Sequence, residues 1–265
     1  MANFRVLGPI EVWAGERRMS LGGPRQLTLL AFLLLNAKLA DVAPRGERER
    51  LLARARELLV GIGNHRDLSR IYTNAAYDSL LEDRPADSMA YSEIARAAAE
   101  RVGDVTRMMF VMGNIGVAHL FRGEVGPADA AFRRQLELCR GQAFAFGADE
   151  GLAGVAAVAA AEGHPERAAK LLGAAATLGF PLPVDQPVYD RLDRDYLTPA
   201  RMAYGPAQWD HAHQLGGALS YDAAIGIALE SVVTRASPVD ERGDATSVVS
   251  LGVSGRSGAS SPSHR

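Results

Sequence analysis

Along the middle of the chain, apolar residues recur at helical spacing in segments parted by short turns, and the segments repeat. With Asn74, Asn114 and Gly154 set in register, Leu80, Leu120 and Ala160 coincide, as do Asp83, Gly123 and Gly163, and then Ser88, Ala128 and Ala168. A fixed interval, with small residues at each turn and each contact, predicts helical hairpins stacked on one another between Asp67 and Leu178. One hairpin cannot bury its own apolar face, so each needs its neighbours. Gly63-Asn64 also matches Gly103-Asp104, which makes Glu47 to Ile62 the second helix of an earlier, incomplete unit.

The helices follow from the pattern. Glu47 to Ile62 carries Leu51, Leu52, Ala55, Leu58 and Leu59 on one face. Asp67 is expected to cap the next helix, which turns Leu68, Ile71, Tyr72, Ala75, Ala76 and Leu80 inward. Arg84-Pro85 makes a turn into a helix over Ala86 to Val102. Thr106 to Phe121 pairs with Pro127 to about Phe144, and Asp149 to Ala161 pairs with Pro165 to Leu178. Gly113 and Gly116 lie inside a helix, where they cost stability unless a neighbouring helix needs the close approach.

The two ends read differently. Phe4, Val6, Ile10 and Val12 alternate with polar or small residues, and a turn at Ala14-Gly15-Glu16 leads to Arg17 to Leu21, which predicts two or three short antiparallel strands. Pro24 then opens an apolar helix over Arg25 to Ala37. After three prolines between Pro181 and Pro187, helices are expected at Val188 to Tyr204, interrupted at Pro199, and at Ala207 to Gly216, with Ser220 capping a last one. These should cover the open apolar end of the array. Beyond Glu230 the Ser-, Gly- and Arg-rich composition predicts a disordered tail. The expected organisation is therefore an N-terminal fragment (1–38), helical-hairpin repeats (46–180), a helical cap (181–230) and a tail (231–265).

Composition agrees with a mainly α fold. Of 265 residues, 48% are hydrophobic but only 6% aromatic, so the core must be built from Ala, Leu and Val. A formal net charge of -2 advertises no general attraction to phosphate backbones or anionic lipid. Cys139 is the only cysteine, which rules out an intramolecular disulfide and suits a reducing, cytoplasmic setting. No basic-then-apolar leader opens the chain, and Leu27 to Ala37 is too short to span a bilayer, so no membrane role is expected.

The string FRVLGPIEVW, the LGGPRQ turn and LLAFLLLNA, covering Phe4 to Ala37, resemble the start of the winged-helix DNA-binding domain of the actinobacterial antibiotic regulatory proteins (SARP), which carry a bacterial transcriptional activation domain (BTAD). The resemblance implies a partial winged helix. It stops there: the second helix, recognition helix and wing of the family have no counterpart before GERERLLARARELL. Gly151 to Ala175 is similar to the last repeat of large regulators of that family and of LuxR-like ATPase regulators, and Glu47 to Phe146 to their preceding repeats, which implies a tetratricopeptide-like solenoid. The ATPase module between those ends in the family is missing, and no G-x-x-x-x-G-K-[ST] loop occurs.

Candidate chemistry is sparse. Arg45, Arg48, Arg50, Arg54 and Arg56 alternate with Glu47, Glu49 and Glu57, which reads as a solvated helix face rather than a nucleic-acid patch. Asp190, Asp193 and Asp195 interleave with Arg191 and Arg194 and read as surface ion pairs. His211 and His213 point to different sides of a helix and do not converge on a metal. No catalytic residue, cofactor or metal ligand is assigned, and the chain reads as a non-enzyme. The expected function is protein–protein interaction, with a protein or peptide partner in the repeat groove and Tyr72, Tyr77, Tyr91, Arg107 and Asn114 as candidate contacts. The alternative is a DNA-binding transcriptional regulator, which the missing recognition helix argues against. The leucine-rich helix Arg25 to Ala37 is expected to dock on Glu47 to Ile62 or, undocked, to drive self-association.

Overall fold

The computed structural model of the chain describes residues 2–5, 11–14, 17–19, 45–140, 147–179, 181 and 186–230. Three short strands, β1 (Ala2–Arg5), β2 (Glu11–Ala14) and β3 (Arg17–Met19), pair antiparallel in sequence order, with Phe4 opposite Val12 and Val12 opposite Met19. All other regular structure among the described residues is helical. The helix expected at Arg25 to Ala37, its docking and the tail after Glu230 lie outside the described residues.

Seven helices follow in succession: α1 (Arg45–Gly61), α2 (His65–Leu81), α3 (Pro85–Val102), α4 (Val105–Phe121), α5 (Val125–Arg140), α6 (Ala148–Ala161) and α7 (Pro165–Thr177). Five of them end in the same way. A residue with positive φ follows the last turn: Gly63 at 70°, Asp83 at 57°, Gly103 at 64°, Gly123 at 75° and Gly163 at 79°. The next amide returns five residues to a helix carbonyl: Asn64 to Leu59 at 2.8 Å, Arg84 to Ser79 at 2.7 Å, Asp104 to Ala99 at 3.0 Å, Glu124 to His119 at 2.9 Å and His164 to Ala159 at 2.8 Å. This double closure, with the left-handed residue's own amide bonding three back, satisfies carbonyls that a helix end otherwise leaves open.

The starts are of more than one kind. Asn64 and Asp104 accept the amides of Asp67 and Arg107 through their side chains, whereas α3 and α7 begin with Pro85 and Pro165 and no side-chain cap. Asn64 therefore caps α2 in place of Asp67, which stands in the first turn, because the closure that ties the Asn64 amide to Leu59 C=O puts the N-cap directly after Gly63.

Each turn folds a helix back on its predecessor: α2 packs on α3, α4 on α5 and α6 on α7, while α3 meets α4 and α5 meets α6. Alternate helices also touch, α2 with α4 and α4 with α6. The glycines inside α4 and α6 explain how closely they approach. A Cβ on Gly116 would lie 2.6 Å from the Phe132 ring, and one on Gly154 would run into the same ring. Phe132 of α5 is fully buried in that slot, with Leu136 beside Gly151 and Gln135 beside Gly113. The small residues Ser88, Ala128 and Ala168, one near the start of each second helix, are likewise fully buried.

After α7 the chain folds back over the hairpins in short helices: α8 (Gln186–Leu192), a π-helical turn (Asp193–Leu197), α9 (Thr198–Tyr204), α10 (Pro206–Gly217) and α11 (Tyr221–Leu229). Pro199 does not interrupt this helix. The π-turn absorbs it through a five-residue bond from Thr198 N–H to Asp193 C=O, and the break falls at Gly205, with φ 99°. Only part of this segment covers the last hairpin as expected. Helix α10 packs on α7, but α8 reaches α2 and α4, the π-turn reaches α6, and α11 lies across α5, α6 and α7. Among the described residues no helix is long and apolar enough to cross a membrane.

Candidate functional site

The five candidate contacts do not form one site. Tyr72 is 3% exposed, and its hydroxyl donates to Leu52 C=O at 3.1 Å, tying α2 to α1. Burial pushes its phenol up to about 12, with Arg56 opposing and Tyr91 adding to the shift. Tyr91 of α3 is half-buried and meets Tyr72 edge-on, ring centroids 5.7 Å apart at 62°. Asn114 is also buried, and its amide donates to Thr73 C=O at 3.0 Å, a bond from α4 to α2. Tyr77 packs beside the main core. Arg107 lies half-buried, its guanidinium 5.6 Å above the Phe110 ring. Burial holds its pKa below the ordinary arginine range, Asp104 opposes this, and Arg70 lowers it further.

Tyr72 and Tyr91 form the back wall of an open cleft of about 570 Å³ between α1, α2 and α3. Leu52, Ala53, Val60 and Ile94 complete its apolar lining, and Glu49, Arg56 and Glu57 stand on its rim. Val60 and, just past α1, Ile62 are about half exposed, so the apolar surface continues outside the cleft. Such a surface takes up apolar side chains and fixes orientation through rim charges. Nothing in the sequence marks Leu52, Val60 or Ile94 as the lining of a cleft. Leu52 reads there as one more inward residue of a helix, and the opening depends on how α3 crosses it from about forty residues away.

The remaining reactive groups are placed structurally. Cys139 is fully buried with its Sγ 3.6 Å from Met109 Sδ, and burial, then Asp149 and Glu150, push its thiol up to about 11. A thiol held protonated is a poor nucleophile. His119 Nδ1 contacts Glu124 Oε2 at 2.6 Å across the α4–α5 turn. The aspartates expected as ion pairs divide: Asp195 pairs with Arg194 and Arg191, but Asp190 accepts from Gln186 and Asp193 from Thr198. Among the described residues no three His, Cys, Asp or Glu side chains are grouped to hold a metal ion. Comparison of the chain with protein-family models, with curated proteins and with solved structures gave no match.

Proposed function

We propose that the chain is a non-catalytic protein-interaction module, a tetratricopeptide-like solenoid related to the repeat region of SARP/BTAD and LuxR-like regulators, that takes an amphipathic helix or peptide of a partner protein into the cleft before Tyr72 and Tyr91. The observation that carries this reading is the open, aromatic-backed cleft with its half-exposed apolar margin at Val60 and Ile62. Helix-in-groove recognition needs such a groove and one or two apolar anchors. The forty-residue interval and the recurring helix closures support the solenoid part of the reading.

Selection of a displayed peptide library on the whole protein tests it. Enriched peptides should carry apolar residues at helical spacing and lose roughly tenfold or more in affinity with Tyr91→Ala or Ile94→Asp. Arg134→Ala, on the far exposed side of α5, should leave binding unchanged. Enrichment of nothing, or peptides indifferent to Tyr91→Ala and Ile94→Asp, overturns it. The string Phe4 to Ala37 favours a second reading, a DNA-binding regulator. Nanomolar, sequence-dependent binding to duplex DNA at physiological salt would establish that reading in place of the first.

A further inference from the structure

A second cavity, of about 270 Å³, opens where the returning helices meet α7. Tyr189 of α8 and Trp209 of α10 line it, with Leu172 and Leu197 as apolar floor and His213 completing the wall. Trp209 is 4% exposed and Leu197 1%, so the pocket is set into the packed structure. Its charges do not balance. Arg201 donates to Asp210 Oδ1 at 2.8 Å, a closed pair. Asp193, the first residue of the π-turn, accepts from Thr198 Oγ1 at 2.9 Å and, among the described residues, pairs with no cation. Its charge is felt by the half-buried Tyr189 phenol, which burial, then Asp193 and Asp190, raise above the ordinary range, with Arg201 opposing. The π-turn puts that carboxylate there, by admitting an extra residue between Leu192 and Thr198; such insertions often accompany ligand sites.

We infer that this cavity binds a small organic cation, an ammonium or alkylated ammonium group on a short apolar stem. A half-buried carboxylate without a counter-charge disfavours anions and gains from a cation. Aromatic side chains attract ammonium through their negative faces, indole most strongly. The volume lies below the roughly 300–1,000 Å³ of sites for drug-sized molecules, which restricts the ligand to a few heavy atoms beyond the charged group. Lining residues come from α7, α8, the π-turn, α9 and α10, so an occupant fastens the returning helices to the last hairpin and raises thermal stability. The site is separate from the cleft at Tyr72, and its test does not depend on any protein partner.

The probes are choline, its uncharged isostere 3,3-dimethylbutanol, and acetate at matched ionic strength, added to the full chain carrying Trp13→Phe. Trp209 is then the only indole, since the sequence has two tryptophans. Calorimetry and the Trp209 indole N–H resonance are the readouts. Choline should saturate, shift that resonance and raise the Tm, while the isostere and acetate do neither at concentrations on the order of 10 mM. Asp193→Asn should weaken choline roughly tenfold or more. Asp210→Asn, which releases Arg201 as a free cation at the cavity, should weaken it as well. Absence of saturation with choline, equal binding of the isostere, or choline binding indifferent to Asp193→Asn overturns the inference. If Asp193→Asn fails to fold by circular dichroism, the comparison of choline with its isostere on the parent protein decides alone.

Discussion

Asp83 holds a backbone conformation that its four counterparts reach with glycine, at φ 57°. A side chain in that region costs about 1 kcal/mol, less for Asp than for most residues. What Asp83 gains in return is an ion pair with Arg191 from the returning segment. Asp83 is 71% exposed in that pair, and pairs of this kind contribute about 0–1 kcal/mol. The backbone term therefore wins, and Asp83→Gly should stabilise the protein by up to about 1 kcal/mol in urea denaturation, with Asp83→Asn near neutral. Asp78, one turn earlier, gives a pH signature. Burial raises its carboxyl to about 6, Arg48 and Arg84 opposing and Glu82 adding. The unfolded value is near 3.9, so from about pH 4 to 6 the native state holds the extra proton and stability from this group falls as pH rises. The cost is fully present above pH 6. Asp78→Asn removes it, and the stability of that variant relative to the parent should climb by about 1–2 kcal/mol between pH 4 and pH 7, after allowance for solvent screening. A pH-independent difference would show that Asp78 is not the group responsible.

Helix contacts in this protein are of two depths. Between α4, α5 and α6, glycine gives room to a side chain: Phe132 fills the space before Gly116 and Gly154. Phe132→Ala should cost about 3–5 kcal/mol, and Gly154→Ala, which pushes on a ring with nowhere to move, about 1–3 kcal/mol. Between α7 and α10, glycine gives room to backbone. A Cβ on Gly173 would run into the His213 carbonyl, and one on Gly216 into the Lys170 carbonyl. Backbone cannot rotate aside, so Gly173→Ala or Gly216→Ala should undock α10, seen as loss of hydrogen-exchange protection over residues 206–217. Gly217→Ala, whose Cβ would meet Thr177 Cγ2 at 3.6 Å and the Gly173 carbonyl oxygen at 3.7 Å, both ordinary contact distances, should leave that protection in place.

Much of the hairpin region is legible in the sequence. Helix periodicity, turn glycines and the forty-residue register locate α1 to α7 within a few residues, and the glycines of α4 announce a close approach. What approaches them is not legible, because Phe132 looks like any inward residue of a helix. The returning segment is harder still. Its anchors pair residues about seventy or more apart, such as Arg191 with Phe121 and Tyr196 with Leu120, and no local pattern encodes such a pair. The π-turn is not legible either, because Pro199 signals a break unless the preceding turn can absorb it.

Stacked helical hairpins touch mainly their neighbours and tend to unfold piecemeal. Here the returning segment ties distant hairpins together on two sides. On one, Arg191 donates to Phe121 C=O at 2.8 Å, lies 3.9 Å above the Phe121 ring and pairs with Asp83, while Tyr196 O–H donates to Leu120 C=O at 2.5 Å. That joins the α2–α3 turn and the end of α4 to α8 and the π-turn. On the other, Arg133 of α5 and Arg167 of α7 both reach the last carbonyls of α11: Arg133 donates to Leu229 and Glu230, Arg167 to Ala228 and Glu230. Cations at a helix C-terminus satisfy open carbonyls and complement the helix dipole. The two guanidiniums also repel, since burial, then Arg133, lowers the Arg167 pKa, with Asp129 compensating. Attraction to α11 outweighs this repulsion only while the helix end is present. Arg133→Met and Arg167→Met should each destabilise by about 1–3 kcal/mol, and the double variant by less than their sum, because each single change also relieves the other arginine. Together they should split unfolding: α11 loses exchange protection at lower urea than α4, whereas the parent protein loses both in one transition. Coincident loss in the double variant would place the cooperativity in the hairpin contacts themselves rather than in this clasp.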